Sequence, residues 1–306
     1  GVALNCVANG KLLEEKIFQN IWIQPAAGDA GGSLGAAYSV YYGELENKRN
    51  IDPDKMDKMQ GCYLGPEFAD YEIEKYLNSV NAKYEVIEDE NTLLDIVVDE
   101  LANEKVVGWH NGRMEFGPRS LGNRSILGDA RSKNMQSTIN LKIKHRESFR
   151  PFAPSILSEK VTNWFNMDVD SPYMLFVASL KKSRQKGMTS EQKSLFGLEK
   201  LNVVRSDIPA VTHVDYTARV QSVHKETNRR YHSLISRFEA KTGIHSIVNT
   251  SFNVRGEPIV CTPEDTYRCF MSTEMDVLII NNFLIYKKYQ EQGNNKSKWA
   301  KEFERD

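Results

Sequence analysis

The chain has 306 residues, with 40 Lys and Arg against 41 Asp and Glu, and a net charge of −1 at pH 7. That balance leaves no broad positive field for holding nucleic acid by its phosphates, and 40% hydrophobic with 26% charged residues excludes a disordered chain. No apolar run approaches the roughly 20 residues that span a bilayer, and no basic start followed by an apolar stretch marks a secretory signal. The expectation is a cytoplasmic protein of about two domains, without a membrane association. Cys6, Cys62, Cys261 and Cys269 are scattered, lack the paired spacing of a zinc site, and read as free thiols of a reducing compartment.

In chain order, VALNCVAN reads as a short apolar strand, KLLEEKIF as a helix and NIWIQP as a second strand. A glycine-rich turn follows, and 33–42 read as a helix of small residues. The polar ENKRNIDPDKMDKMQG is an exposed connection broken by Pro53. DYEIEKYLNS predicts a short helix capped by Asp70. In NTLLDIVVDELANEK, Leu94, Val97, Val98 and Leu101 share one helical face; VVGWH is a buried strand, and Asn111-Gly112 makes a turn.

Residues 181–193 read as an insertion-like surface loop with solvated charges. Over 213–223 the residues alternate, with Val214, Tyr216, Ala218 and Val220 on one side and Thr217, Arg219 and Gln221 on the other. Tyr231, Leu234, Ile235 and Phe238 stand at helical spacing within 228–241. HSIVN is a strand ending in the turn TSFNVRGEP. Thr262-Pro263 opens a helix with a cap, a proline at its first position and acids in its first turn. VLIINNFLIYK predicts a hairpin turning at Asn281-Asn282, and the chain after Tyr289 reads as a loose end.

Three constellations carry chemistry. Between Arg113 and Arg150 nine basic residues face three acidic ones, interleaved with glycine, proline and aromatic residues. Arginines held by turns suit bidentate capture of oxyanions, above all phosphate and carboxylate. Arg113, Arg119 and Arg124 lie near glycine turns, while Lys144 and Arg150 flank a stretch whose His145 and Phe149 could steer them. In PAAGDAGGSLGAA, Gly28 and Gly31 let backbone amides approach phosphate oxygens, and Asp29 can hold a divalent metal. A tight turn with Asp29 as helix cap explains the same residues. In VNTSFNVRGEPIV, Ser251 and Asn253 present a hydroxyl and an amide after a strand, suited to phosphate or ribose or, equally, to their own loop. The six histidines show no i, i+4 ligand pair; His110 and His145 lie beside the basic turns.

GVALNCVANGKLL, PAAGDAGGSLGAA, GRMEFGPRSLGNRSILGDAR, KHRESFRPFAPS, HVDYTARVQSV and NTSFNVRGEPIVCTPED, in this order along nearly the whole chain, resemble the nodulation-type O-carbamoyltransferases. The resemblance implies an α/β architecture in two parts. Residues 1–66 would be the end of an actin-like (ASKHA-type) carbamoyltransferase domain and linker. Residues 67–306 would be a YrdC-like, twisted-sheet domain binding carbamoyl phosphate and ATP. It also implies that the chain begins inside the first domain, and that an upstream histidine pair joins Asp29 around iron or another divalent metal.

By the same resemblance, ATP with Mg²⁺ and carbamoyl phosphate yield carbamoyl-adenylate, whose carbamoyl group passes to a hydroxyl of a small molecule or saccharide. Lys144 and Arg150 are then the catalytic residues, with Arg219, Ser251 and Asn253 on the nucleotide and carbamoyl phosphate, Arg119 and Arg124 as secondary candidates, and Gly28 and Gly31 beside the nucleotide. Two alternatives stand beside it: a YrdC-like module that binds RNA without catalysis, disfavoured by the net charge, and a threonylcarbamoyl-adenylate-type synthase acting in tRNA modification. Association into a homo-oligomer is left open.

Overall fold

The computed structural model describes residues 1–52 and 57–291. The N-terminal segment carries α1 (Cys6–Glu14), where Asn5 Oδ1 accepts the Ala8 amide at 3.1 Å, and α2 (Asp29–Tyr38), continued by a π-helical turn over Ser39–Glu44. There follow α3 (Asp70–Ser79), β1 (Glu85–Val86), α4 (Glu90–Ala102), β2 (Val107–His110), β3 (Arg124–Gly128), α5 (Met135–Thr138), β4 (Ala153–Leu157), α6 (Val161–Trp164) and β5 (Phe176–Ser179). The remainder is α7 (Ser190–Ser194), α8 (Gly197–Leu201), β6 (Thr217–Val223), α9 (Arg229–Thr242), β7 (Ser246–Ser251), α10 (Pro263–Ser272), β8 (Val277–Ile280) and β9 (Phe283–Tyr286).

Among the described residues the strands form one nine-stranded sheet, ordered β1-β9-β8-β2-β3-β7-β4-β6-β5. β2 with β8 and β4 with β6 run parallel, and the other neighbours are antiparallel. Helices cover both faces, so the chain is α/β as expected. The strand period of two decides which residue meets which layer. Val107 and Trp109 of β2 and Val277 and Ile279 of β8 pack with Leu94, Val97 and Leu101 of α4 and with Tyr231, Leu234 and Phe238 of α9. Leu278 and Ile280 point the other way, into a core with Ile73 and Leu77 of α3 and Phe270 of α10. Each large side chain so buried contributes about 2 kcal/mol of hydrophobic free energy, which holds the short strands to one register.

Four expectations are corrected. VALNCVAN and NIWIQP are not strands: α1 begins already at Cys6, and residues 20–25 run without regular structure. The helix placed at 33–42 begins at Asp29, because Gly28 supplies an extended N-cap. Asp70 is not the cap of α3. Ala69 is, and Glu72 reaches back to its amide at 2.8 Å, while Asp70 accepts from Asn281 Nδ2 at 2.9 Å. The strand at 213–223 starts only at Thr217, since Tyr216 takes a positive φ of 64° in a turn closed on His213, and Val214 is exposed.

The 181–193 loop is partly ordered: Arg184 lies 4.4 Å over the Trp164 ring, Lys186 pairs with Asp207 at 2.6 Å, and Thr189 caps α7. The α4, α9, α10 and β8–β9 expectations stand as read, while β7 runs two residues beyond HSIVN, so that Thr250 and Ser251 pair with β3 instead of opening the turn. Pro53 and the chain after 291 lie outside the described residues. The four cysteines are free, and no helix among the described residues is long and apolar enough to cross a membrane.

Candidate anion-binding site

Two segments make the site, and each is set by buried apolar residues next to polar ones. After α5 the helix widens into a π-turn over Ile139–Ile143, with Ile139 and Ile143 fully buried, so that Lys144 at its end is carried inward to 3% exposure. On the other side β7 ends at Ser251, the buried Phe252 anchors the chain under the sheet, and Gly256 turns the loop with φ 80°. Between the segments lies a cavity of about 250 Å³, lined by Lys144, Arg146, Arg150, Ser251, Asn253, Val254, Arg255 and Gly256.

Lys144 Nζ meets four oxygens. It donates to Ser251 O, to Asn253 Oδ1 at 2.7 Å, to Asn253 O at 3.0 Å and to Ser251 Oγ at 3.2 Å. Ser251 Oγ in turn donates to Asn253 Oδ1 at 2.7 Å. All four acceptors are neutral. Burial therefore pushes the Lys144 ammonium down to about 7, and the Arg146 cation adds to the effect.

Arg146 is held by Asn140 Oδ1, 2.7 Å from its Nε, and lies 5.2 Å over the Phe152 ring. Asn140, fully buried, also donates to Ser148 O and Arg150 O and so ties both arms of the loop. Burial and then Arg150 hold the Arg146 guanidinium below its ordinary value. Arg150 is exposed and pairs with Glu147 at 3.0 Å. Cations that depress one another around one cavity are relieved by an anion placed among them.

A second cationic pair adjoins. Arg219 projects from β6 opposite Val177 of β5, bonded to the Cys6 side chain of α1. Burial, then the Arg119 guanidinium beside it, then more weakly Arg146, pull its ionisation down. Arg119 leaves its Nε buried and unpartnered.

The structure thus brings together Lys144, Arg150, Ser251 and Asn253, while Arg119 and Arg219 act on each other and line no part of this cavity. Arg124 is elsewhere. Fully buried, it donates to the carbonyls of Cys261, Asn111, Gly112, Asn123 and Pro66, and burial pushes it down to about 10. It staples loops rather than facing the cavity, and His110 beside it bonds to Thr266 Oγ1 at 2.7 Å.

Gly28, Asp29 and Gly31 line no part of the cavity. Gly28 and Asp29 are exposed at the start of α2, and Gly31 abuts the Ala26 carbonyl closely enough to exclude a Cβ. No group of three His, Cys, Asp or Glu that could hold a metal stands together among the described residues. His145 and Phe149 are exposed and steer nothing; Asn140 and Phe152 do that work. Sequence reading missed Arg146, Arg255 and Asn140 as site residues. The two arginines could have been found as the cations nearest to Lys144 and Asn253 in sequence, but Asn140 carries no signal outside the fold.

Comparison with known proteins places these residues in context. The family profile described as "Carbamoyltransferase C-terminus" matches residues 98–287, and "Carbamoyltransferase N-terminus" matches residues 1–38. An uncharacterized protein of Synechocystis, sll1178, is 59% identical over 308 residues, which is 100% of this chain and 50% of that protein. Nodulation protein NolNO of Sinorhizobium fredii is 38% identical over 94% of this chain and 39% of its own length. The 3'-hydroxymethylcephem-O-carbamoyltransferase of Streptomyces clavuligerus is 28% identical over 92% of this chain and 47% of its own. The chain spans about half the length, or less, of these curated relatives.

Proposed function

This chain belongs to the carbamoyltransferase family, and from that premise we propose that its cationic cavity binds carbamoyl phosphate and the phosphates of ATP and forms carbamoyl-adenylate. The observation that carries the reading is the convergence of Lys144, Arg146, Arg150 and Arg255 on one cavity beside the Ser251–Asn253 turn. The substrates carry several negative charges, and orientation with charge neutralisation is most of what phosphoryl and adenylyl transfer demands.

The chemistry balances with one water. Water releases phosphate from carbamoyl phosphate; a carbamate oxygen then bonds to the α-phosphorus of ATP, and the bond to the pyrophosphate leaving group breaks. In this reading Arg146, Arg150 and Arg255 neutralise phosphate oxygens. Arg150 exchanges Glu147 for the ligand, and Lys144, already among the oxygens of Ser251 and Asn253, turns a proton toward the reacting phosphate. Arg219 and Arg119 hold a second oxyanion next to the first.

The adenylate would then deliver its carbamoyl group to a hydroxyl of a small-molecule or saccharide acceptor. Mg²⁺ would arrive with ATP. A resident divalent metal at Asp29 would need ligands from outside the described residues, among which no group of three His, Cys, Asp or Glu stands together.

The test is direct. ATP, Mg²⁺ and carbamoyl phosphate mixed with the chain should release pyrophosphate above an enzyme-free blank, and Arg146→Ala should cut that release roughly a hundredfold. A wild-type trace that stays on the blank overturns the proposal.

A further inference from the structure

The loop that presents Ser251 and Asn253 carries no regular structure between the end of β7 and Pro263, so other contacts must hold it. Glu257 stands inside this loop, 8% exposed. Its Oε2 accepts the Val254 amide at 2.9 Å, its carbonyl accepts Asn253 Nδ2 at 2.7 Å, and its own amide donates to Val254 O at 3.3 Å. From α10 the Cys269 thiol bonds to the same carboxylate. These contacts settle the orientation of Asn253. Nδ2 is engaged by the main-chain carbonyl of Glu257, whose place in the turn is fixed by the bond from the Val254 amide to Glu257 Oε2, so Oδ1 faces the cavity and accepts from Lys144 Nζ and Ser251 Oγ, both at 2.7 Å. A reversed amide would set an NH₂ against the lysine, donor against donor.

We infer that Glu257 is a positioning residue of the anion site, acting on a bound phosphate through Asn253 and Lys144 without touching it. The inference rests on the reading of the cavity as a phosphate site and is independent of the adenylate step. A buried hydrogen-bonding side chain one link behind a binding group fixes the geometry in which that group meets its ligand.

Inorganic phosphate titrated into the chain by calorimetry provides the test. Glu257→Ala should bind phosphate about tenfold more weakly, whereas Glu257→Gln, which keeps an acceptor oxygen for the Val254 amide, should stay within about twofold of wild type. In an Asn253→Ala background, Glu257→Ala should add nothing further, because the Glu257 carboxylate reaches the ligand only by holding the turn that places Asn253. Should Glu257→Ala fail to fold, Glu257→Asp, one methylene short of the Val254 amide, replaces it with the same expected loss.

Additive losses in the two backgrounds, a Gln variant as weak as the Ala variant, or no phosphate binding by wild type overturn the inference. Pyrophosphate release read on the same samples separates the two claims. A wild type that binds phosphate but releases none counts against the adenylate chemistry alone, and the phosphate series still decides Glu257.

Discussion

Lys144 has a buried amine whose four oxygen neighbours are all uncharged. Its folded value of about 7 lies below the 10.5 of a free lysine, so the folded state favours the neutral amine. The ionisable groups that act on it are Arg146, which lowers it further, and Cys269 and Glu257, which raise it. The sign follows: Lys144 opposes folding most fully below about pH 7, and that cost fades as pH rises toward 10.5. Ligand binding runs the opposite way, because an oxyanion needs the ammonium. Sulfate keeps its charge across this range and is the proper probe. Its affinity should fall about tenfold or more between pH 6 and 9, and Lys144→Met should bind weakly with a flat profile. A wild-type affinity that does not change with pH would mean the amine stays charged throughout. Arg124 makes the opposite point at the same scale. Its guanidinium is as buried, but five carbonyls engage it, so a basic residue in a basic stretch serves the fold alone.

At the scale of elements, α10 matters because it backs the loop of the site, where Cys269 bonds to Glu257. Its start is a capping box. Thr262 Oγ1 accepts the Asp265 amide at 3.1 Å, Asp265 Oδ2 accepts the Thr262 amide at 3.0 Å, and Pro263 occupies the first helical position. Thr262→Ala should cost about 1 kcal/mol of stability, read as a lower urea midpoint with unchanged slope. A midpoint equal to wild type would show that tertiary packing alone holds the helix end. The π-turn at Ile139–Ile143 is a second such element: the one extra residue in the turn is what delivers Lys144 inward instead of to solvent.

For the whole molecule, the contact between the N-terminal segment and the sheet seats α1 on the edge strand, beside Arg219. α1 lies against β5, which ends the sheet. Asn9 Nδ2 donates to Leu175 O at 3.1 Å, Cys6 reaches Arg219, and Gly10 sits so close to Val177 that an added Cβ would overlap the Val177 carbonyl. Gly10→Val should therefore lift α1 off the edge strand. Limited proteolysis should then cut within residues 1–52 several-fold faster, while the unfolding midpoint of the sheet stays near wild type. Cleavage at the wild-type rate would mean that the helix accommodates the methyl groups and that close approach is not what seats it.

Much of this was legible in the residues themselves. The continuous buried runs of β2 and β8, the helical spacing of Leu234 and Phe238 and the cap at Thr262 are local signals, and local hydrogen bonding and burial honour them. The cationic cavity was legible in kind, since the basic stretch that ends at Arg150 and the Ser-x-Asn turn both supply residues to it. Which cations meet was decided only in three dimensions. Arg124 and Arg146 look alike in sequence, yet sheet register turns one into a ring of carbonyls, and Asn140 holds the other at the cavity. Composition and spacing settle which groups a chain possesses, whereas the direction a long side chain takes depends on which distant carbonyl or ring lies within its reach once the layers have packed.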